Sequence, residues 1–70
     1  MTMAWEKSVF SSNVLSISWD EVGMVVTWNS GKRSLYEGVT EDDAMSIARA
    51  PSVGQAINMD IKPYYPHRYV

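Results

Sequence analysis

Seventy residues allow one compact core and exclude two independent domains, because a chain of this length buries only about 60% of the surface that its unfolded form exposes. Apolar residues at 46% exceed what a disordered segment carries, and the absence of cysteine removes disulfide staples and thiolate metal sites and points to a soluble protein in a cytoplasmic setting. A net charge of -2 gives no general attraction for a DNA phosphate backbone, and no apolar run approaches the ~20 residues that cross a bilayer, so neither DNA nor a membrane is an expected partner.

In chain order, residues 1–10 lack a clean period and read as an N-terminal segment, partly frayed over Met1 to Glu6, ahead of a single domain at 11–70. Alternation begins at Asn13: Leu15, Ile17 and Trp19 point one way and Ser16 and Ser18 the other, which predicts a strand over 13–19. Asp20-Glu21-Val22-Gly23 supplies a turn, and Val22, Met24, Val26 and Trp28 recur at spacing two in a strand over 23–28. Asn29-Ser30-Gly31 places glycine at the left-handed position of a three-residue hairpin, and Lys32 to Tyr36 follows as a third strand.

Thr40 is placed to cap a helix over 41–49, with Glu41, Asp42 and Asp43 at the positive end of its dipole and Ala44, Ile47 and Ala48 on one face. Pro51 stops it. Ser52 repeats the cap signal before a second helix near 53–60, with Ala56, Ile57 and Ile61 as its apolar stripe, and Tyr64 to Val70 form an extended aromatic tail. The predicted class is α+β: a three-stranded antiparallel meander packed against one main helix and a second short helix, burying Leu15, Ile17, Trp19, Val26 and Ile47 together.

Catalytic chemistry finds no footing in the spacing. His67 is the single histidine, with Ser52 and Asp60 as its only nominal partners, and Ser52 is better used as a cap. Glu41, Asp42 and Asp43 are consecutive on a helix and diverge, so they cannot converge on two metals. Gly54 has no companion glycines in phosphate-loop spacing. No enzyme activity, metal or other cofactor is expected. The last nine residues carry Lys62, Tyr64, Tyr65, His67, Arg68 and Tyr69 without an acid, a composition suited to stacking and phosphate contact on single-stranded nucleic acid. The same tyrosines are better read as covers of a small core, and tyrosine also suits protein contacts.

Several short motifs, in order, carry a resemblance: Ser11 to Asp20, Asn29-Ser30-Gly31-Lys32, Tyr36-Glu37-Gly38-Val39, Ala50-Pro51-Ser52-Val53-Gly54, Asn58, Ile61-Lys62 and Tyr65-Pro66. Over Ser11 to Val70 the chain resembles the KTSC domain, named for its occurrence at the C-terminus of some lysyl-tRNA synthetases and also found as small stand-alone bacterial and phage proteins. The resemblance implies a compact α+β fold and a suggested RNA-binding role, with Tyr36, Ser52, Gly54, Asn58, Lys62 and Tyr65 as the family-like residues. The chain departs from the family pattern twice. Ser34-Leu35-Tyr36 lacks the first tyrosine of a central aromatic-x-aromatic motif, with Ser34 expected to face water, and Ile57 replaces the aromatic before Asn58. Each family-like residue also has a structural reading: Ser52 as a cap, Gly54 for close backbone approach, Asn58 bonded to local backbone, Tyr36 and Tyr65 as core or rim, and Lys62 at a helix C-terminus.

The sequence thus reads as a small non-enzymatic accessory or protein-interaction module, with homodimer formation through an exposed meander edge as one route to a partner. The alternative is weak RNA binding. Candidate RNA- or partner-binding residues are Tyr36, Asn58, Lys62, Tyr64, Tyr65, His67, Arg68 and Tyr69.

Overall fold

Turn chemistry folds the first half of the chain back on itself at short intervals, and the last strand returns to the sheet after the helices, so the strands follow in sequence order. In the computed structural model, which describes residues 4–70, the strands are β1 (Trp5–Ser8), β2 (Val14–Trp19), β3 (Gly23–Trp28), β4 (Arg33–Glu37) and β5 (His67–Tyr69). The sheet order is β1-β2-β3-β4-β5 and every neighbouring pair is antiparallel. The three-stranded meander predicted from the sequence is therefore corrected to five strands, since the two edges it left open are occupied. The part of the expected frayed segment at Met1 to Met3 lies outside the described residues, while Trp5 to Ser8 pair with Trp19 to Ser16.

Both added strands are polar edges, which explains why alternation did not reveal them. β1 is Trp-Glu-Lys-Ser, tied down by an indole N–H of Trp5 that donates to Glu41 Oε2 at 3.0 Å and by Ser16 Oγ donating to Glu6 Oε2 at 3.1 Å. β5 follows Pro66, whose carbonyl accepts from the Glu37 N–H at 3.1 Å; a proline can stand beside an edge strand because its missing donor faces no neighbour.

The turn from β2 to β3 depends on Asp20 and Gly23. Asp20 Oδ1 accepts from the Val22 N–H at 2.8 Å, and a Cβ on Gly23 would collide with the Tyr36 carbonyl oxygen of β4. Val22 belongs to this turn and is exposed. A bulge between Val14 and Ser16 shifts the register of β2 on β3 and corrects the predicted facing of β2. Val14 turns inward, Leu15 is 51% exposed, and from Ile17 onward the expected phase resumes.

Helix α1 (Glu41–Ala48) crosses one face of the sheet, with Thr40 Oγ1 accepting from the Asp43 N–H at 3.2 Å and Ala44 and Ile47 buried. Helix α2 (Val53–Ala56) is short and continues directly into a wider π-helical turn, Ile57–Ile61, closed by the Lys62 N–H donating to the Ile57 carbonyl at 2.9 Å. That turn keeps Ile57 and Ile61 both buried. Ser52 stands at the cap position with an extended backbone, but its side chain makes no capping bond, and the space beside Gly54 holds only Asn13 Nδ2 at 3.9 Å. The proposed roles of Ser52 as a side-chain cap and Gly54 as a site of close backbone approach are thus corrected. The core between helices and sheet is built on Val14, Ile17, Met24, Val26, Tyr36, Ile47, Val53, Ile57 and Ile61.

Strand pairing sets which residues share a face. Trp5, Trp19, Met24, Tyr36 and His67 form one cross-strand row on the helix-covered face, and Lys7, Ile17, Val26, Ser34 and Tyr69 form the next. Glu6, Ser18, Val25, Leu35 and Arg68 line up on the opposite, outer face.

Candidate functional site

At the end of the sheet where β3 turns into β4, the hairpin Trp28 to Lys32 closes through a Gly31 N–H donated to the Trp28 carbonyl and a Trp28 N–H donated to the Lys32 carbonyl, both at 2.9 Å. Gly31 adopts φ 93°, a left-handed value that side-chain-bearing residues resist, as the three-residue turn requires. Asn29 anchors the loop before β2: its N–H donates to the Asn13 carbonyl at 2.8 Å and its Nδ2 to the Ser12 carbonyl at 2.6 Å.

Two elements meet over this hairpin. The π-helical turn delivers Lys62, whose Nζ lies 5.7 Å from the Trp28 ring centroid. β5 delivers Tyr69, and Lys32 Nζ lies 5.6 Å from its centroid. These are cation–π separations. The half-buried Trp28 is fixed by its indole N–H, which donates to Ser34 Oγ at 2.9 Å. Ser34 is 2% exposed, so the expectation that it faces water is corrected: a small hydroxyl there accepts the indole proton. The resulting cleft of about 410 Å³ is lined by Asn13, Trp28, Asn29, Ser30, Lys32, Lys62 and Tyr69, two cations and no acid.

The structure divides the sequence-derived candidates. Lys62 and Tyr69 line the cleft. Tyr36 is 1% exposed and stacks on His67 with centroids 5.3 Å apart, so it is a core residue with no surface for a ligand. Burial, and secondarily its neighbour Tyr69, pushes the Tyr36 phenol above its ordinary value of 10.0. His67 lies between the two tyrosines, its ring 6.0 Å from Tyr69 and nearly perpendicular to it. Tyr65 donates its hydroxyl to Asp43 Oδ2 at 3.0 Å, linking the tail to α1, and that bond holds its phenol above the ordinary value. Tyr64 and Asn58 are exposed and stand outside the cleft lining. Arg68 projects on the outer face, with Nε 3.6 Å from Glu37 Oε1.

Trp28, Lys32, Asn13, Asn29 and Ser30 were missed as candidates. The available signal was the Asn29-Ser30-Gly31-Lys32 motif, whose glycine explains the turn and whose lysine closes it through its carbonyl alone, leaving the side chain unaccounted for. Among the described residues no group of three or more His, Cys, Asp or Glu could hold a metal ion, and no helix is long and apolar enough to cross a membrane.

Comparison with known proteins follows the same outline. The family model of the KTSC domain matches residues 10–65, which span β2 to β4, both helices and the π-helical turn. The crystal structure of a KTSC domain protein from Yersinia pestis is similar over 97% of this chain and 99% of that chain, with a TM-score of 0.84 at 24% sequence identity, a likeness of fold that extends beyond the family-matched residues. No curated protein matches the chain.

Proposed function

The chain belongs to the KTSC domain family, and on that premise we propose that it is a small non-enzymatic accessory module that works by seating a protein partner in the cleft between Trp28 and Tyr69. The observation that carries this reading is the pairing of two lysine ammonium groups with two aromatic rings around one concave surface without an acid. Aromatic residues give a protein contact large rigid area, and lysines fix its electrostatic register. Lys62 and Tyr69 keep the binding role that the sequence suggested for them, and Lys32 takes the place of Arg68. Cytoplasmic location fits a cysteine-free chain of this size.

RNA is the second reading, because the same lysines and rings are the composition of phosphate contact and base stacking. Affinity purification from a cell lysate, with and without RNase, separates the two. Lys32→Ala plus Lys62→Ala alters the cleft, and Arg33→Ala plus Arg68→Ala removes equal charge from the outer face. A partner kept by the wild type and the outer-face variant, lost by the cleft variant and indifferent to RNase supports the protein reading. Loss with RNase supports RNA, and equal retention by all three proteins rejects the cleft.

A further inference from the structure

We propose that the cleft recognises an acidic segment of a protein partner, an extended peptide whose Asp or Glu carboxylates pair with Lys32 and Lys62; this rests on the reading of the cleft as the binding surface. Charge complementarity comes first. The chain is net acidic, yet two of its six cationic side chains meet at this one concavity, and its remaining polar lining of Asn13, Asn29 and Ser30 is neutral. An anionic group is therefore attracted here while the rest of the molecule repels it.

The state of the rings decides between kinds of anion. A nucleobase needs an open aromatic face, but the ammonium of Lys62 lies over Trp28 and that of Lys32 over Tyr69. Trp28 is half-buried against the core, and Tyr69, although 67% exposed, meets the His67 ring in an edge contact. Stacking a base on a lysine-covered face would have to displace the ammonium, whereas a carboxylate can bind each ammonium where it already stands. Holding the lysines on rings also lowers the side-chain freedom they lose on binding, which favours ligands that use them in place.

Hydrogen bonding points the same way. Asn29 spends its Nδ2 on the Ser12 carbonyl, which leaves its side-chain oxygen as an acceptor. A peptide backbone supplies an N–H donor to such an acceptor at nearly every residue, whereas in RNA the phosphate has none and the donors are the 2′-hydroxyl and the base edge. The volume of about 410 Å³ suits a few side chains of an extended segment.

The test measures binding by fluorescence anisotropy with three labelled probes: a Gly/Ser-spaced decapeptide rich in Asp and Glu, the same peptide with Asn and Gln in their place, and an oligouridylate of equal charge. The acidic peptide is expected to bind saturably, the neutral one at least about tenfold more weakly, and Lys32→Ala plus Lys62→Ala to weaken the acidic peptide by about tenfold, the sum of two modest ion pairs. Arg33→Ala plus Arg68→Ala should leave binding within about twofold, since those side chains lie on the other face. Retained amide dispersion in both variants shows that the fold is intact. Tighter binding of the oligouridylate, lost in the cleft variant, overturns the acidic-peptide inference and keeps the cleft. Binding of no probe, or binding indifferent to the two lysines, overturns both.

Discussion

Lys62 and Arg68 stand close together in the chain and read as one basic tail, yet the fold sends them to opposite faces of the sheet and into opposite electrostatic settings. Lys62 ends a π-helical turn above Trp28, with no acid lining the space beside it. Arg68 alternates outward on β5 and meets Glu37. A surface ion pair of this kind contributes only ~0–1 kcal/mol to stability, but it reduces the charge that Arg68 offers to a partner. The face on which the fold presents a cation thus sets its electrostatic surroundings more than its sequence neighbours do.

The largest expected effect tests whether Tyr36 is structural. Tyr36→Ala should cost about 3–5 kcal/mol in a urea titration, because a buried aromatic is removed and His67 loses the ring it stacks on. Normal stability would return Tyr36 to the list of ligand contacts. Gly23→Ala should cost about 2–3 kcal/mol by the same measurement, since the new Cβ must push β4 away from β3 and so disturbs both faces at once.

Ser34→Ala sharpens the comparison from the cleft side. It leaves the Trp28 indole N–H without its acceptor, with an expected loss of about 1–3 kcal/mol and a shifted Trp28 indole resonance, and no change at Arg68. An unmoved resonance would mean that Ser34 does not fix the ring.

Alkaline titration probes Tyr36 and Tyr65, which are both held above their ordinary value of 10.0. A raised folded value favours the neutral phenol in the native state, so the stability it contributes is fully present below pH 10 and is lost as pH rises through the folded value. Tyrosinate absorbance is expected to rise late for these two residues, and Tyr36→Phe should flatten the fall in stability at high pH. A fall that persists unchanged in Tyr36→Phe assigns it to another group. The smallest effect belongs to the outer face: Arg68→Ala should shift stability by less than about 1 kcal/mol and leave the cleft resonances in place.

Much of the centre of the fold was legible because each signal there had one local meaning. The alternation of β3, the glycine of the Asn29-Ser30-Gly31 turn and the Thr40 cap all operate within a few residues. The edges were hidden for the converse reason. Glu6, Lys7 and Ser8 pair as a strand only because β2 offers a free edge, and β5 sits behind two prolines with all three of its residues exposed. Leu15 was misassigned because a bulge changes phase without changing composition. The cleft was half visible: Lys62 and Tyr69 belong to the aromatic and basic tail, but Lys32 and Trp28 join them through packing between distant segments, which no spacing records.

The three tryptophans offer the most direct measurement, since each indole N–H has a different partner: Glu41 for Trp5, the Val39 carbonyl for Trp19 and Ser34 for Trp28. In an NMR titration of labelled protein with the acidic decapeptide, the Trp28 indole resonance should shift saturably while those of Trp5 and Trp19 stay in place. Movement of Trp5 or Trp19 with Trp28 unmoved would contradict the account, because the partner would then be seated away from the cleft.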